Sequence, residues 1–429
     1  MAADRGIEIG FDEHVLENGL RVVLAPDAAA PVVALNLWYN VGSRNERAGR
    51  TGFAHLFEHM MFQGSAHVPE LAHFALIEQA GGTLNGSTWL DRTNYYETLP
   101  SHRLELGLWL ESDRMGFLLP AMTQEKLDNQ RDVVKNERRW RVDNQPYGDW
   151  DERLQALVYP PDHPYHHSVI GSMADLDAAR LEDVQEFFRT YYVPNNAVLS
   201  LVGDIDAERA RDLVERWFGG IPRGADIPPI PGRTVLPATL GGEVRETVVQ
   251  DISLARIYQA YRMPVYGSDG FHAALVASYV LGSGRASLLY RTLIRERQLA
   301  QDVMAYAFPF VVGASMFALW ATARPGVPVS QLDAALSDQV ASLAEVPDAD
   351  VERALALLEA AHLQGLQTVD ERADQLSMYA TLFRDPGRIN TELRRVLAVT
   401  AADVRAFARR FLQPNNRAVL TYVPQAGAS

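Results

Sequence analysis

The stretch 183–199, DVQEFFRTYYVPNNAVL, is written a second time at 403–420 as DVRAFARRFLQPNNRAVL. Asp183 and Asp403, Val184 and Val404, Phe187 and Phe407, Pro194 and Pro414, Asn195 and Asn415, and Asn196 and Asn416 pair at one constant offset. These six identities, in register over 14 positions, already exceed what two unrelated helix–turn–strand units would share, so the chain reads as a duplication. Each copy is a helix closed by a Pro-Asn-Asn turn that opens an apolar strand (197–202 and 418–423). Between the copies, the segment 219–232 holds four prolines and four glycines, the composition of an extended linker. The expected division is a domain over 1–220, a linker over 221–234 and a homologous domain over 235–429.

Working outward, Leu20–Leu24 and Val32–Val41 read as strands, bounded by Asn18-Gly19, Pro26 and Gly42-Ser43. Helices are expected over Phe53–Met61, Glu70–Gln79, His102–Arg114 and Thr123–Val142, and again near 270–297 and from Val329 onward. Interspersed helices and strands of this kind give an α+β fold, two homologous domains each built from a mainly antiparallel sheet with helices on one face. Val303–Ala323 carries no charge, and it is as long as a membrane span. Pro309, Gly313 and a wealth of β-branched and aromatic residues make it a strand hairpin (303–307 and 315–323) instead, so no membrane span is expected.

The chain has 429 residues, with 40 Lys plus Arg against 54 Asp plus Glu, a formal charge of −14. An acidic surface repels phosphate backbones, which excludes nucleic acid as the natural partner. There is no cysteine, so disulfides and thiolate metal sites are excluded and any zinc must be held by nitrogen and oxygen. Met1–Gly6 shows no basic segment followed by an apolar core, so a signal peptide is not expected and the compartment is read as cytoplasmic, or periplasmic if a leader has been trimmed.

His55-Leu56-Phe57-Glu58-His59 carries the chemistry. On a helix, residues four apart share a face, so both imidazoles can point at one ion, with Glu58 on the same side. Two neutral imidazoles, a third protein ligand and a water complete a catalytic zinc site, and a carboxylate beside that water serves as general base. Chance predicts this pattern about 0.02 times per chain of this composition. The competing reading is a helix with partly buried histidines. For the third ligand, the residues alone leave Glu137, Glu97, Asp91 and Glu111 open. His163, His166 and His167 crowd one loop and raise the question of a second metal site. His67, His73 and His102 read as surface or packing residues.

The sequence resembles the pitrilysin/insulinase group, peptidases with this inverted zinc motif. The resemblance runs over essentially the whole chain: Gly42–Glu46, His55–Ser65, Gly81–Thr88, Asp91–Tyr96, Gln130–Glu137, and Pro164-Tyr165 leading to Ile170-Gly171. The chain resembles the zinc-binding subunit of a bacterial heterodimeric member with two such domains per chain. The resemblance implies one Zn2+ per chain, with Glu137 as third ligand beside His55 and His59, and Gln130 behind it where relatives often have glutamate. It also implies a peptide substrate added as an edge strand along Thr83–Trp89, contacted by Asn85, Gly86 and Thr88. In single-chain relatives an arginine and a tyrosine of the second half contact the oxyanion. Here Arg295 matches the arginine, but Gln301 stands in the tyrosine's place. A homologous zinc-less subunit supplying the Arg/Tyr pair is therefore expected, with a homodimer using Tyr290 or Tyr306 as the alternative. A zinc endopeptidase with Glu58 as base is the function implied, and a non-catalytic core or scaffold subunit is its rival.

Overall fold

The structure, a computed structural model, describes residues 8–425; Met1–Gly6, read above for a leader, lie outside the described residues. Two sheets organise the chain. The first contains β1 (Asp12–Val15), β2 (Arg21–Pro26), β3 (Val32–Tyr39), β4 (Thr83–Thr88), β5 (Thr93–Pro100) and β6 (Ala197–Gly203), in the order β1-β2-β6-β3-β5-β4. The second contains β7 (Val244–Gln250), β8 (Arg256–Met263), β9 (Ala300–Phe308), β10 (Ser315–Ala323) and β11 (Arg417–Pro424), in the order β7-β11-β8-β10-β9. The order repeats strand for strand once β1 is set aside. In each sheet a single parallel pair, β2 with β6 and β7 with β11, sits among antiparallel ones. The duplication read from the Pro-Asn-Asn segments is thus a duplication of topology. The helices carrying those segments, Leu181–Tyr191 and Ala401–Phe411, start and stop at matching positions of the two copies. The hairpin read from the uncharged stretch 303–323 is β9 and β10. Among the described residues no helix is long and apolar enough to cross a membrane.

Alternation along β3 explains the layering of the first sheet. Val33, Leu35, Leu37 and Tyr39 enter the main core with Leu56, Phe57, Leu108, Leu199 and Leu201. Asn36 and Trp38 face the other way, where Asp374 of helix Val369–Phe383 accepts from Asn36 Nδ2 (3.2 Å), Trp38 Nε1 (2.8 Å) and Asn94 Nδ2 (2.9 Å). So beyond the expected helical layer, a helix from the far end of the sequence covers the opposite face. The second sheet receives the reciprocal element: Trp150, on helix Trp150–Val158, stacks on Tyr258 of β8 at 5.1 Å with rings 2° from parallel.

The compact units accordingly differ from a cut at one linker. One comprises 1–137, 168–231 and 363–392; the other comprises 138–167, 232–362 and 393–429. Each half of the sequence lends a segment to the other's sheet, and no periodicity or composition announces such an exchange. The helix expected over Thr123–Val142 ends at Arg138, and a turn of π-helix, Arg139–Asp143, follows where the chain passes between units.

Candidate metal centre

Helix Phe53–Met60 supplies the first donors. It buries Phe53, Ala54, Leu56, Phe57 and Met60 and leaves His55, Glu58 and His59 half-buried as a polar stripe. Phe57 stacks on Phe188 (5.6 Å, 28°) and lies against Tyr192 (4.2 Å), which fixes the rotation of the helix about its axis. Its N-terminus starts from Gly52 in the left-handed region (φ 86°), where a Cβ would lie 2.7 Å from the Ile170 carbonyl oxygen. The free N–H groups of the first turn are met by Glu46, whose carboxylate accepts from Gly52 N (2.9 Å) and Ala54 N (2.7 Å). Glu46 was legible only as part of the Gly42–Glu46 resemblance; a buried acid shortly ahead of a helix start is the signal for its capping role.

The third donor comes from helix Gln124–Arg138. Leu127, Gln130 and Val134 form its buried stripe, and Glu137 continues that stripe at the C-terminal end. Glu137 Oε2 lies 3.6 Å from His55 Nε2 and 3.4 Å from His59 Nε2. These gaps are long for hydrogen bonds. They match the edge of a tetrahedron around zinc, about 3.4 Å when each ligand sits at about 2.0–2.1 Å. The donor set of two imidazoles and a carboxylate, half-buried and converging, therefore fits a zinc ion. Gln130, buried, sits two turns before Glu137 on the same stripe.

Glu58 is held from across the sheet. Thr88 Oγ1, at the end of β4, donates to Glu58 Oε2 at 2.5 Å. Burial pushes the Glu58 carboxyl above its ordinary value, opposed by the Thr88 hydrogen bond and by the charges of His59 and Arg92, with Glu137 adding to the rise. Among the described residues β4 pairs only with β5, and its other edge carries backbone groups with no partner strand there. On it, Asn85 is exposed and accepts from Gly86 N (2.9 Å). Gly86 is buried, and a Cβ there would press on Tyr95 (3.1 Å) and Phe62 (3.2 Å). The strand read as Thr83–Trp89 ends at Thr88.

The remaining candidates fall elsewhere. Asp91 pairs with Arg44 (2.8 Å), so it is not a donor to His55 and His59. Glu97 and Glu111 join His73 in a second group whose donor atoms lie within 4.8 Å of one another. All three are buried, so of the surface and packing readings of His73 it is packing that the structure agrees with. Within this group Glu97 Oε1 meets His73 Nε2 at 2.9 Å and Arg114 clasps Glu111, with Nε to Oε2 at 2.8 Å, while Glu97 Oε2 is buried without a hydrogen-bond partner among the described residues. Burial pushes both carboxyls up to about 7 and His73 down to about 3. His163, in the other unit, stacks on Tyr159 (4.9 Å) and accepts from Tyr165 N (3.1 Å), while His166 Nδ1 contacts the Tyr159 carbonyl (2.8 Å). That loop uses its histidines to pack, and the described residues there form no three-donor cluster. Arg295 is exposed in the segment Tyr290–Glu296, Tyr290 is half-buried, and Tyr306 is 45% exposed on the edge strand β9.

Comparison with known proteins sets this geometry in context. Residues 21–158 match the family model described as Insulinase (Peptidase family M16), and residues 178–358 match the one described as Peptidase M16 inactive domain. The chain is 30% identical over 321 residues to the zinc protease PqqE of Helicobacter pylori, covering 74% of this chain and 71% of that protein. It is 25% identical over 428 residues to a probable mitochondrial-processing peptidase subunit beta of Arabidopsis thaliana, covering 95% of this chain and 77% of that one. A crystal structure of a protease from Helicobacter pylori superposes with a TM-score of 0.90 at 26% identity, over 97% of this chain and all of the other. With the repeated sheet, the converging donors and these likenesses together, the chain belongs to the M16 insulinase family of peptidases.

Proposed function

We propose that the chain is the zinc-binding, catalytic subunit of an endopeptidase acting on short or unfolded peptides. The observation that carries this reading is the convergence of His55, His59 and Glu137, with Glu58 beside them and an open strand edge alongside. Bound by these donors, zinc supplies Lewis acidity and a water that ionises near neutral pH. Glu58 accepts the proton released as water attacks the scissile carbonyl and passes it to the leaving amine nitrogen. Its half-buried position on the same helical stripe as His55 and His59 favours both roles, because it places the carboxylate beside the proton to be moved. The unpaired groups of β4 receive the peptide as an added strand, and recognition through backbone hydrogen bonds leaves sequence selectivity loose. Gly86 lets the chain lie flat against Tyr95 and Phe62, and the exposed Asn85 amide is available to orient the peptide.

The oxyanion contact is the part this chain lacks in full. Arg295 is present and exposed, but Gln301 stands where a tyrosine would be. We therefore assign the chain to a heterodimer in which a homologous, zinc-less subunit brings the Arg/Tyr pair. A relative named as a subunit beta supports a shared architecture of paired chains. A homodimer using Tyr290 or Tyr306 is the alternative. The non-catalytic scaffold reading draws on the match to the inactive-domain model, but that match covers 178–358, and His55, Glu58, His59 and Glu137 all lie within 21–158.

The test is metal analysis, native mass and hydrolysis of an internally quenched peptide, all on the chain isolated with its bound subunits. One zinc per chain, chelator-sensitive cleavage and the mass of two different subunits are expected. A metal-free chain without peptidase activity overturns the reading. Full activity of the single chain, unchanged by any homologous subunit, overturns the heterodimer alone.

A further inference from the structure

We propose that Thr88 is a positioning residue that fixes the Glu58 carboxylate for proton transfer, and that it does so from the strand that receives the peptide. This rests on the reading of Glu58 as the base. The Thr88 hydroxyl has one proton, and it goes to Glu58 Oε2 at 2.5 Å. The neighbouring hydroxyl does not compete for it: Thr93 Oγ1 donates its own proton to the Val41 carbonyl (3.0 Å) and stands 3.4 Å from Thr88 Oγ1. One oxygen of the carboxylate is thereby engaged, its plane is set, and Oε1 is left for the reacting proton.

The hydroxyl is itself fixed, which is what a positioning role demands. Side chains alternate along β4, so Gly86 and Thr88 face the metal-motif helix while Ser87 faces the other layer. Thr88 is paired in register with Thr93, and Ser87 with Asn94. Ser87 Oγ donates to Asn94 Oδ1 (2.7 Å), and Arg92 Nη1 binds the Ser87 carbonyl (2.8 Å) and Asn94 Oδ1 (3.0 Å). Asn94 in turn donates to Asp374 on the helix that crosses over from the far end of the chain (2.9 Å). The end of β4 is pinned from behind, and Thr88 transmits that rigidity to the base. A peptide added to β4 would meet a strand whose last side chain already holds the catalytic group, so substrate register and base orientation share one reference.

The test compares Thr88→Val, which keeps the shape and strand preference but removes the hydroxyl, with Thr88→Ser, which keeps the hydroxyl. It uses the chain isolated with its bound subunits and an internally quenched peptide. Misplacing a reacting group by a fraction of an ångström to an ångström costs up to about 100-fold, so Thr88→Val should lower kcat by about 10- to 100-fold. The zinc content should not change, and KM should stay within about twofold, because the lost bond orients the base for proton transfer and does not hold the peptide. Thr88→Ser should return kcat to within about threefold of wild type. A crystal structure of the Thr88→Val chain should show the Glu58 carboxylate turned from its present orientation. Unchanged kcat in Thr88→Val, a rise in KM alone, or equal losses in Val and Ser each overturn the positioning role. A wild-type chain that shows no chelator-sensitive cleavage overturns the parent reading, and this one with it.

Discussion

The two sheets of this chain share strand order, parallel pair and Pro-Asn-Asn entry, yet among the described residues the groups of converging His and Glu donors all lie with the first. In the first unit the helix that follows the third core strand is short and presents His55, Glu58 and His59 as a half-buried stripe. In the second unit the corresponding helix, Asp269–Gly282, is 14 residues long and buries Phe271, Ala274, Ala277, Val280 and Leu281 without such a stripe. The edge strands differ in the same sense. β4 is six residues with Asn85-Gly86 at its centre, whereas β9 is nine residues ending in aromatic side chains. A duplicated scaffold thus needs few changes to gain or lose such a donor set: the sheet supplies position, one helical face supplies two imidazoles and a second helix the carboxylate.

The largest effect on this contrast should come from removing the proposed base of the first unit. Glu58→Gln should keep zinc bound and the fold intact while hydrolysis falls by about 10²–10⁴-fold, the usual worth of a positioned general base. Zinc content by mass spectrometry and turnover of a quenched peptide give the two readouts. Retained turnover would remove Glu58 from the mechanism and with it the functional difference between the units.

How much of this could be read beforehand follows from what is local. His55, Glu58 and His59 are fixed by helical spacing within one turn, so the motif declared itself. Glu137 lies far along the chain from His59, on a different helix, and spacing alone left it level with Glu97, Asp91 and Glu111. Only the resemblance favoured it, and the structure brings its oxygen next to both imidazoles. The doubled fold was legible because Pro-Asn-Asn turns punctuate the sequence. The exchange of 138–167 and 363–392 was not, because a helix facing a sheet has the same amphipathic pattern whichever sheet it joins. Thr88 was read as a substrate contact, since its hydroxyl bond to Glu58 joins two separate elements and depends on strand register.

The second contrast lies within the first unit, between the half-buried cluster of His55, His59 and Glu137 and the fully buried one of His73, Glu97 and Glu111. Glu97 and Glu111, with carboxyls pushed up to about 7 by burial, hold protons in the folded chain that the unfolded chain releases above about 4.5. A raised carboxyl pKa favours the folded state fully at low pH and loses that contribution as pH rises towards 7. Glu97→Gln cannot ionise, so its stability relative to wild type should climb between about pH 4.5 and 7, by an amount on the order of 1–3 kcal/mol. His73, pushed down to about 3 by burial, acts in the opposite sense: its contribution is present above about pH 6.5 and is lost as pH falls. His73 Nε2 bonds Glu97 Oε1 directly, so its contribution does not cancel in the difference, and the measured slope belongs to the pair. Urea unfolding of both at several pH values measures the slope, and a flat difference would mean that Glu97 is ionised in the core. Zinc content should be the same in both, because none of these side chains is among the donors of His55, His59 and Glu137.

The finest comparison is between the two copies of one residue. Asn196 Nδ2 donates to the Tyr191 carbonyl at 2.9 Å, and its counterpart Asn416 Nδ2 makes the same bond to the Phe411 carbonyl at 2.7 Å. Each closes the end of a helix and aims the chain into a core strand. Asn416 does more: Nδ2 also reaches the Arg262 carbonyl (2.8 Å), and Oδ1 accepts from Leu240 N (2.7 Å). The matching contact of Asn196, to the Asn40 carbonyl, is stretched to 3.5 Å. At about 1 kcal/mol per hydrogen bond, with more lost where a buried partner is stranded, Asn196→Ala should cost about 1–2 kcal/mol and Asn416→Ala about 1 kcal/mol more. Native-state hydrogen exchange at β6 and β11 reads each loss locally. Equal losses would mean that the extra bonds of Asn416 contribute no net stability, and that the two turns are equivalent in energy as well as in sequence.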